Sequence, residues 1–205
     1  MGKIGSLSRS QKRLWLVIAI IVGAVVVDQI IKILVATHMT VGESIEVTGW
    51  FNISYVLNNG MAFGIEWFSK IALTLFRLVA AVLLSWYIHK LIHRDEIRTG
   101  YIATIAFIIA GAIGNIIDCV FYGKLLQDGG WFTGKVVDMF YFPLIHNSNG
   151  DVIFFQPVFN FADSCITCGV IVLIIFYWKE ISGNNGEGTK GEGTKGEKAN
   201  GKEIR

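Results

Sequence analysis

Charge is scarce in this sequence. Only 17% of the 205 residues are Asp, Glu, Lys or Arg, 53% are hydrophobic, and the mean hydropathy is +0.53. That balance is far too apolar for a soluble domain of this size. The formal net charge of +2 implies no polyanionic partner. Basic residues flank apolar runs and form no contiguous patch, so nucleic-acid binding has no support. Cysteine is also rare. Cys119, Cys165 and Cys168 are odd in number and unevenly spaced, which argues against a disulfide framework; all three read as small buried hydrophobes. Histidine is sparse and scattered: His38, His89, His93 and His146. His89 and His93 have a spacing that suits a metal, but beside Lys90 and Arg94 they read as part of a basic interfacial stretch. No metal site and no cofactor is expected.

The sequence is rich in long apolar runs. Four stand out, at about 14–36, 71–88, 101–117 and 159–178, each near the ~20 residues that a ~30 Å hydrocarbon core demands of a helix. Trp15, Trp86, Tyr87, Tyr177 and Trp178 lie near their ends, where an aromatic belt forms. The first run passes into Asp28, Gln29 and Lys32 without a small-residue cleavage site, so it reads as a retained span and not a signal peptide. "MGKIGS" fits a loose acylation pattern, from which a multi-span protein gains little.

Lysine and arginine orient the chain. Lys3, Arg9, Lys12 and Arg13 precede the first run, Lys90, Arg94 and Arg98 separate the second from the third, and Lys179 follows the fourth. Both termini and the middle loop are therefore expected in the cytoplasm. The expected organisation is a basic N-terminus (1–13), a four-helix membrane domain (14–181) and a Gly-rich tail (182–205). The tail, with "EGTKG" twice in tandem, is expected to be disordered. The two outer connections, 37–70 and 118–157, are long. The first holds "SIEVTGWFNISYVLN", which alternates and reads as a short sheet. Backbone at membrane depth has to be paired within protein, so both are expected to form a cap over the helix ends.

In this orientation Asp28, Asp118, Asp138 and Asp163 all gather near one face, with Asn58, Asn115 and Asn160 as amide donors. Asn160 and Asp163 could be ordinary helix caps. Asp28 and Lys32, one turn apart on one face, could be a neutralised structural pair or could shape a site. Four unrelated caps would not be expected to converge, so a site is the better reading. The face offers no Ser–His or Cys–His pair and no metal cluster. Two close carboxylates cannot both ionise cheaply, so one keeps a proton. That suits aspartyl peptide hydrolysis, with one carboxylate activating water and the other polarising a carbonyl. The alternative is a proton-coupled transporter or channel, but a relay needs carboxylates across the whole membrane and none falls in the inner half of a span. A catalytically dead binder is a third option.

"DQIIK", "NNGMAFG", "GAIGNIID", "GKVVDMF" and "FNFAD", in that order over residues 28–163, resemble the lipoprotein signal peptidases (signal peptidase II) of bacteria. The resemblance implies a polytopic aspartyl protease of the inner membrane with a small extracytoplasmic β-cradle. Such an enzyme cleaves prolipoproteins just before a cysteine carrying diacylglycerol, and here it is expected to act as a monomer among membrane lipids. It implies Asp138 and Asp163 as the catalytic pair. Asn58, Gly60, Asn115, Asp118, Asn160, Asp28 and Lys32 would shape the pocket. The sequence departs from the pattern at Cys119, where the family usually has arginine after the aspartate of GNxxD. It departs again in its longer outer connection, "KLLQDGGWFTG" and "PLIHNSNGDVIFFQP". Arg77, in the outer half of the second span, is a candidate for the missing counter-charge near Asp118 or Asp138, or else snorkels to the headgroups.

Overall fold

The computed structural model describes residues 7–59, 70–147, 152–154 and 157–182. Gly60, the rest of "GMAFG" and the Gly-rich tail beyond 182 lie outside them. The chain runs α1 (Arg9–His38), β1 (Ser44–Thr48), β2 (Phe51–Asn58), α2 (Lys70–Ile92), α3 (Thr99–Ile117) and a π-helical turn (Asp118–Tyr122). Then follow α4 (Gly123–Leu126), β3 (Val136–Tyr141), β4 (Ile145–His146), β5 (Val152–Phe154), α5 (Phe161–Phe176) and α6 (Trp178–Ile181).

The helices are apolar all round, so a hydrophobic stripe does not define the inside; charge does. In α1 the buried residues Arg13, Val17, Ala24, Asp28, Lys32 and Val35 form one stripe, while Trp15, Ile18, Val22, Val26, Ile30 and Leu34 face outward. Charge inside and hydrocarbon outside is the arrangement a bilayer solvent selects. Arg9–His38, Ala72–Ile92 and Thr99–Leu126 are long and apolar enough to cross a membrane. The fourth apolar helix, α5, has 16 residues, about 24 Å at 1.5 Å per residue. It stops because Tyr177 leaves the helical region (φ −128°, ψ 19°), with its ring packed on Tyr101 and under the Arg98 guanidinium.

The central helix is α3, and α1, α2 and α5 pack on it. Its small residues allow close approach. A Cβ on Gly111 would collide with the Ala162 carbonyl oxygen, and one on Gly114 would come within 2.6 Å of the Asp28 carboxylate. The sequence reading ended the third span at Ile117; instead the helix continues to Leu126. Asp118 does not cap it, because the carboxylate is drawn sideways to Lys32 and the backbone passes through the π-helical turn. Cys119 and Cys165 are buried as expected, but Cys168 is exposed: it lies on the outward face of α5, where an apolar solvent removes any pressure to hide a thiol.

β1, β2 and β3 form an antiparallel sheet in that order, at the end of the bundle where α1 finishes and α5 begins. Val56 pairs with Asp138 and Asn58 with Val136. Phe159 exchanges backbone hydrogen bonds with Phe140, which ties the entrance of α5 to β3. At the opposite end Arg13 is fully buried. Its guanidinium donates to the carbonyls of Arg94 (2.8 Å), Ile92 (3.4 Å) and Ile97 and to Thr99 Oγ1 (3.2 Å), clasping α1 to the α2–α3 connection.

Candidate active site

The site is a chain of side-chain hydrogen bonds at the sheet end, and its anchor is Lys32. This ammonium is fully buried, and a buried charge has to be paired. It lies 2.9 Å from Asp28 Oδ2, 2.8 Å from Asp118 Oδ2 and 3.0 Å from Asn115 Oδ1, so all three of its protons are used. Each carboxylate also fixes backbone: Asp28 Oδ1 accepts from the Ala162 N–H of α5 (2.9 Å), and Asp118 Oδ2 from the Val137 N–H of β3 (3.1 Å). One buried lysine thus sets two acids, and the acids set the two segments that carry Asp163 and Asp138.

The Asn115 amide has one possible orientation. Lysine only donates, so Oδ1 must face it and Nδ2 faces away, where it donates to Asp163 Oδ1 at 2.8 Å. Asn115 Oδ1 also accepts from Asn160 Nδ2 (3.1 Å), which in turn reaches Asp138 Oδ1 (2.6 Å). Asn58 Nδ2 donates to Asp138 Oδ2 at 2.9 Å. Asn160 also caps α5: its Oδ1 accepts from the Asp163 N–H (2.9 Å), and Asp163 Oδ2 accepts from the Asn160 N–H (3.4 Å), completing a capping box. The cap and the site are therefore the same structure, seen from the helix and from the aspartates.

Asp138 is buried on β3 and Asp163 half-buried on α5. Burial pushes the Asp138 carboxyl from the ordinary 3.8 up to about 7, and the nearby Asp163 charge pushes the same way. The amides of Asn58 and Asn160 and the Lys32 charge oppose this only in part. A carboxyl raised this far is suited to hold a proton near neutrality.

Two residues that the sequence reading did not assign to the site belong to the network. Gln29 Nε2 donates to Asp28 Oδ2 (3.0 Å), the Gly114 carbonyl (3.2 Å) and Asp118 Oδ1 (3.2 Å), and its Oε1 accepts from the buried Tyr122 hydroxyl (2.8 Å). The π-helical turn brings Tyr122 to this position, and nothing in the spacing announces it. Arg77 donates to Cys119 Sγ at 3.6 Å; the ammonium paired with Asp118 is Lys32. Among the described residues no cluster of three or more His, Cys, Asp or Glu could hold a metal ion.

Two aspartates linked through amides at the end of an apolar helical bundle are compatible with an aspartic peptidase of a membrane. The family model for signal peptidase (SPase) II matches residues 20–179. The lipoprotein signal peptidase of Porphyromonas gingivalis is 45% identical over 190 residues, covering 81% of this chain and 84% of its own. That of Amoebophilus asiaticus is 34% identical over 184 residues, covering 80% and 78%. A solved bacterial membrane enzyme is 32% identical with a TM-score of 0.59, over 84% of this chain and 92% of its own. The chain belongs to the signal peptidase II family and is an aspartic peptidase.

Proposed function

We propose that this enzyme removes the signal peptide from prolipoproteins by cutting before a diacylglyceryl-modified cysteine, with Asp138 and Asp163 as the catalytic pair. The observation that carries the reading is the amide bridge: Asn160 and Asn115 link the two carboxylates, while Asn58 holds the far oxygen of Asp138. Asp138, whose carboxyl is pushed up to about 7, keeps the proton and polarises the scissile carbonyl. Asp163 takes a proton from water, whose oxygen attacks the carbonyl carbon. As the tetrahedral intermediate collapses, the proton taken up by Asp163 passes to the departing amine. Each acid–base contribution of this kind is worth about 10²–10⁴-fold.

In this reading all four apolar helices cross the inner membrane, both termini are cytoplasmic, and the aspartates work at the extracytoplasmic face. Support comes from the distribution of charge. Arg9, Lys12, Arg13, Lys90, Arg94, Arg98 and Lys179 lie at the end of the bundle opposite the sheet. Asp28, Lys32, Asn58, Asn115, Asp118 and Asn160 position the pair, Gly60 offers close backbone approach to substrate, and Arg77 contributes positive charge beside the Asp118–Cys119 turn. The protein acts as a monomer, the signal helix and acyl chains entering from the bilayer.

The test is cleavage by purified protein of one precursor with and without its diacylglyceryl group, the cut mapped by mass spectrometry. Cutting of the lipidated form alone, immediately before the modified cysteine, is the expected result. Equal cutting of both forms, or a cut elsewhere, rejects the substrate assignment.

A further inference from the structure

The connection between the π-helical turn and β3 is a tightly built loop. Gln127 closes its neck, accepting from the Lys135 N–H (2.7 Å) and donating to the Lys135 carbonyl (2.9 Å). Gly129 N–H donates to the Gly123 carbonyl (2.6 Å), and Thr133 and Gly130 bond each other. The returning limb folds back along the helix: Phe132 N–H donates to the Val120 carbonyl (2.9 Å) and Gly134 N–H to the Cys119 carbonyl (3.1 Å). A Cβ on Gly134 would collide with the Asp118 carbonyl oxygen, and one on Gly123 would lie 2.5 Å from that of Gly130.

With the backbone bonds turned inward, the loop presents apolar side chains outward. Leu125 is 64% exposed, Trp131 55% and Phe132 61%, and Trp131 meets Phe121 on the helix edge-to-face at 5.7 Å. Phe132 has φ 64°, a left-handed conformation that costs a bulky residue about 1–3 kcal/mol. Among the described residues its side chain is left largely exposed, so packing there does not offset that cost. The apolar segment Thr99–Leu126 has 28 residues. At 1.5 Å each it spans about 42 Å, longer than the ~30 Å hydrocarbon core. Its last turns, and the limb doubled back beside Cys119 and Val120, therefore fall in an interfacial layer. Trp favours that layer, and exposed Lys124 and Lys135 at the two ends of the loop suit lipid phosphates.

We propose that residues 124–135 form a lipid-anchored foot. Leu125, Trp131 and Phe132 seat at the headgroup–acyl boundary, with Lys124 and Lys135 against lipid phosphates. Lys135 leads directly into Val136 and Val137, whose N–H is bonded to Asp118, so the seated loop sets the height of Asp138 relative to the lipid surface. Only the choice of the extracytoplasmic leaflet rests on the orientation proposed above.

The experiment is tryptophan emission of the full chain and of Trp131→Phe, both reconstituted in mixed phosphatidylcholine and phosphatidylglycerol vesicles. The remaining tryptophans cancel in the difference between the two proteins. The expected difference spectrum is blue-shifted, loses most of its intensity when the lipids are brominated near the headgroup end of the acyl chain, and resists aqueous iodide on either side. A difference spectrum quenched by iodide and untouched by brominated lipid overturns the proposal. Trp131→Phe keeps an aromatic edge on Phe121, and Trp131 lies outside the aspartate network, so the readout depends neither on a folding defect nor on cleavage.

Discussion

Replacing Lys32 with methionine keeps most of the side-chain volume and removes the charge. The wild-type ammonium is fully buried and lies 2.8–3.0 Å from Asp118, Asp28 and Asn115. Removing one partner of a buried pair costs about 3–5 kcal/mol, because the other charge stays buried and unpaired. Two carboxylates are orphaned here, so the upper part of that range is expected, read from unfolding of the purified protein in detergent. Adding Asp118→Asn removes one orphan and is expected to recover about 1–3 kcal/mol. Activity has a separate signature. Without Lys32, Asn115 Oδ1 keeps only the Asn160 amide as a donor, and its bond to Asp163 loosens. A displacement of about 1 Å at such a position costs on the order of 10²-fold in rate. The expected pattern is a fall in kcat larger than any rise in KM. A variant within about 1 kcal/mol of wild type in stability and with unchanged kcat would refute the reasoning, since the anchor would then be anchoring nothing.

Three further outcomes follow from the same geometry. Asp138 has its carboxyl raised from 3.8 to about 7, so its proton, and with it cleavage, is lost as pH rises through about 7. Stability tied to that proton is lost as pH rises from 3.8 to about 7, and Asp138→Asn, which has no proton to lose, should flatten the stability profile over that window; a wild-type rate rising steadily through pH 7–8 contradicts this assignment. Asn160→Ser keeps a side-chain oxygen to cap α5 but loses the amide donor to Asp138. Stability within about 1 kcal/mol of wild type is expected together with a large loss of kcat, whereas equal losses of stability and rate would reduce Asn160 to a cap. Arg13→Leu removes the guanidinium donor from the Ile92, Arg94 and Ile97 carbonyls at the far end of the bundle. It should cost about 3 kcal/mol or more while leaving the kcat of the protein that remains folded unchanged.

Polar residues were readable wherever an apolar background made them conspicuous. Asp28 and Lys32 lie one turn apart in an apolar run, and their ion pair follows from helical spacing alone. The alternation of "SIEVTGWFNISYVLN" is the β1–β2 hairpin. The inward stripe of α1 left no trace in hydropathy, because a helix in lipid is apolar on both faces; only its charges marked the buried side. Gln29 and Tyr122 went unread for another reason. Their contact depends on the π-helical turn after Ile117, and no spacing rule applied to a regular helix puts residue 122 beside residue 29. Asn160 was read as either a cap or a site residue, yet its Oδ1 serves the helix and its Nδ2 serves Asp138 and Asn115. Cys168 was misjudged because small and apolar was equated with buried, an equivalence that fails where the solvent is hydrocarbon.

The central claim is that Asp138 and Asp163 together perform the hydrolysis. The most direct measurement compares wild type, Asp138→Asn and Asp163→Asn on a diacylglyceryl-modified precursor, with binding and cleavage measured separately. Asparagine preserves the size of each side chain and one of its two acceptor oxygens while removing the titrating carboxyl. The account predicts that wild type cuts before the lipidated cysteine, and that each variant still binds the precursor but does not cut it. Normal cleavage by either variant would contradict it.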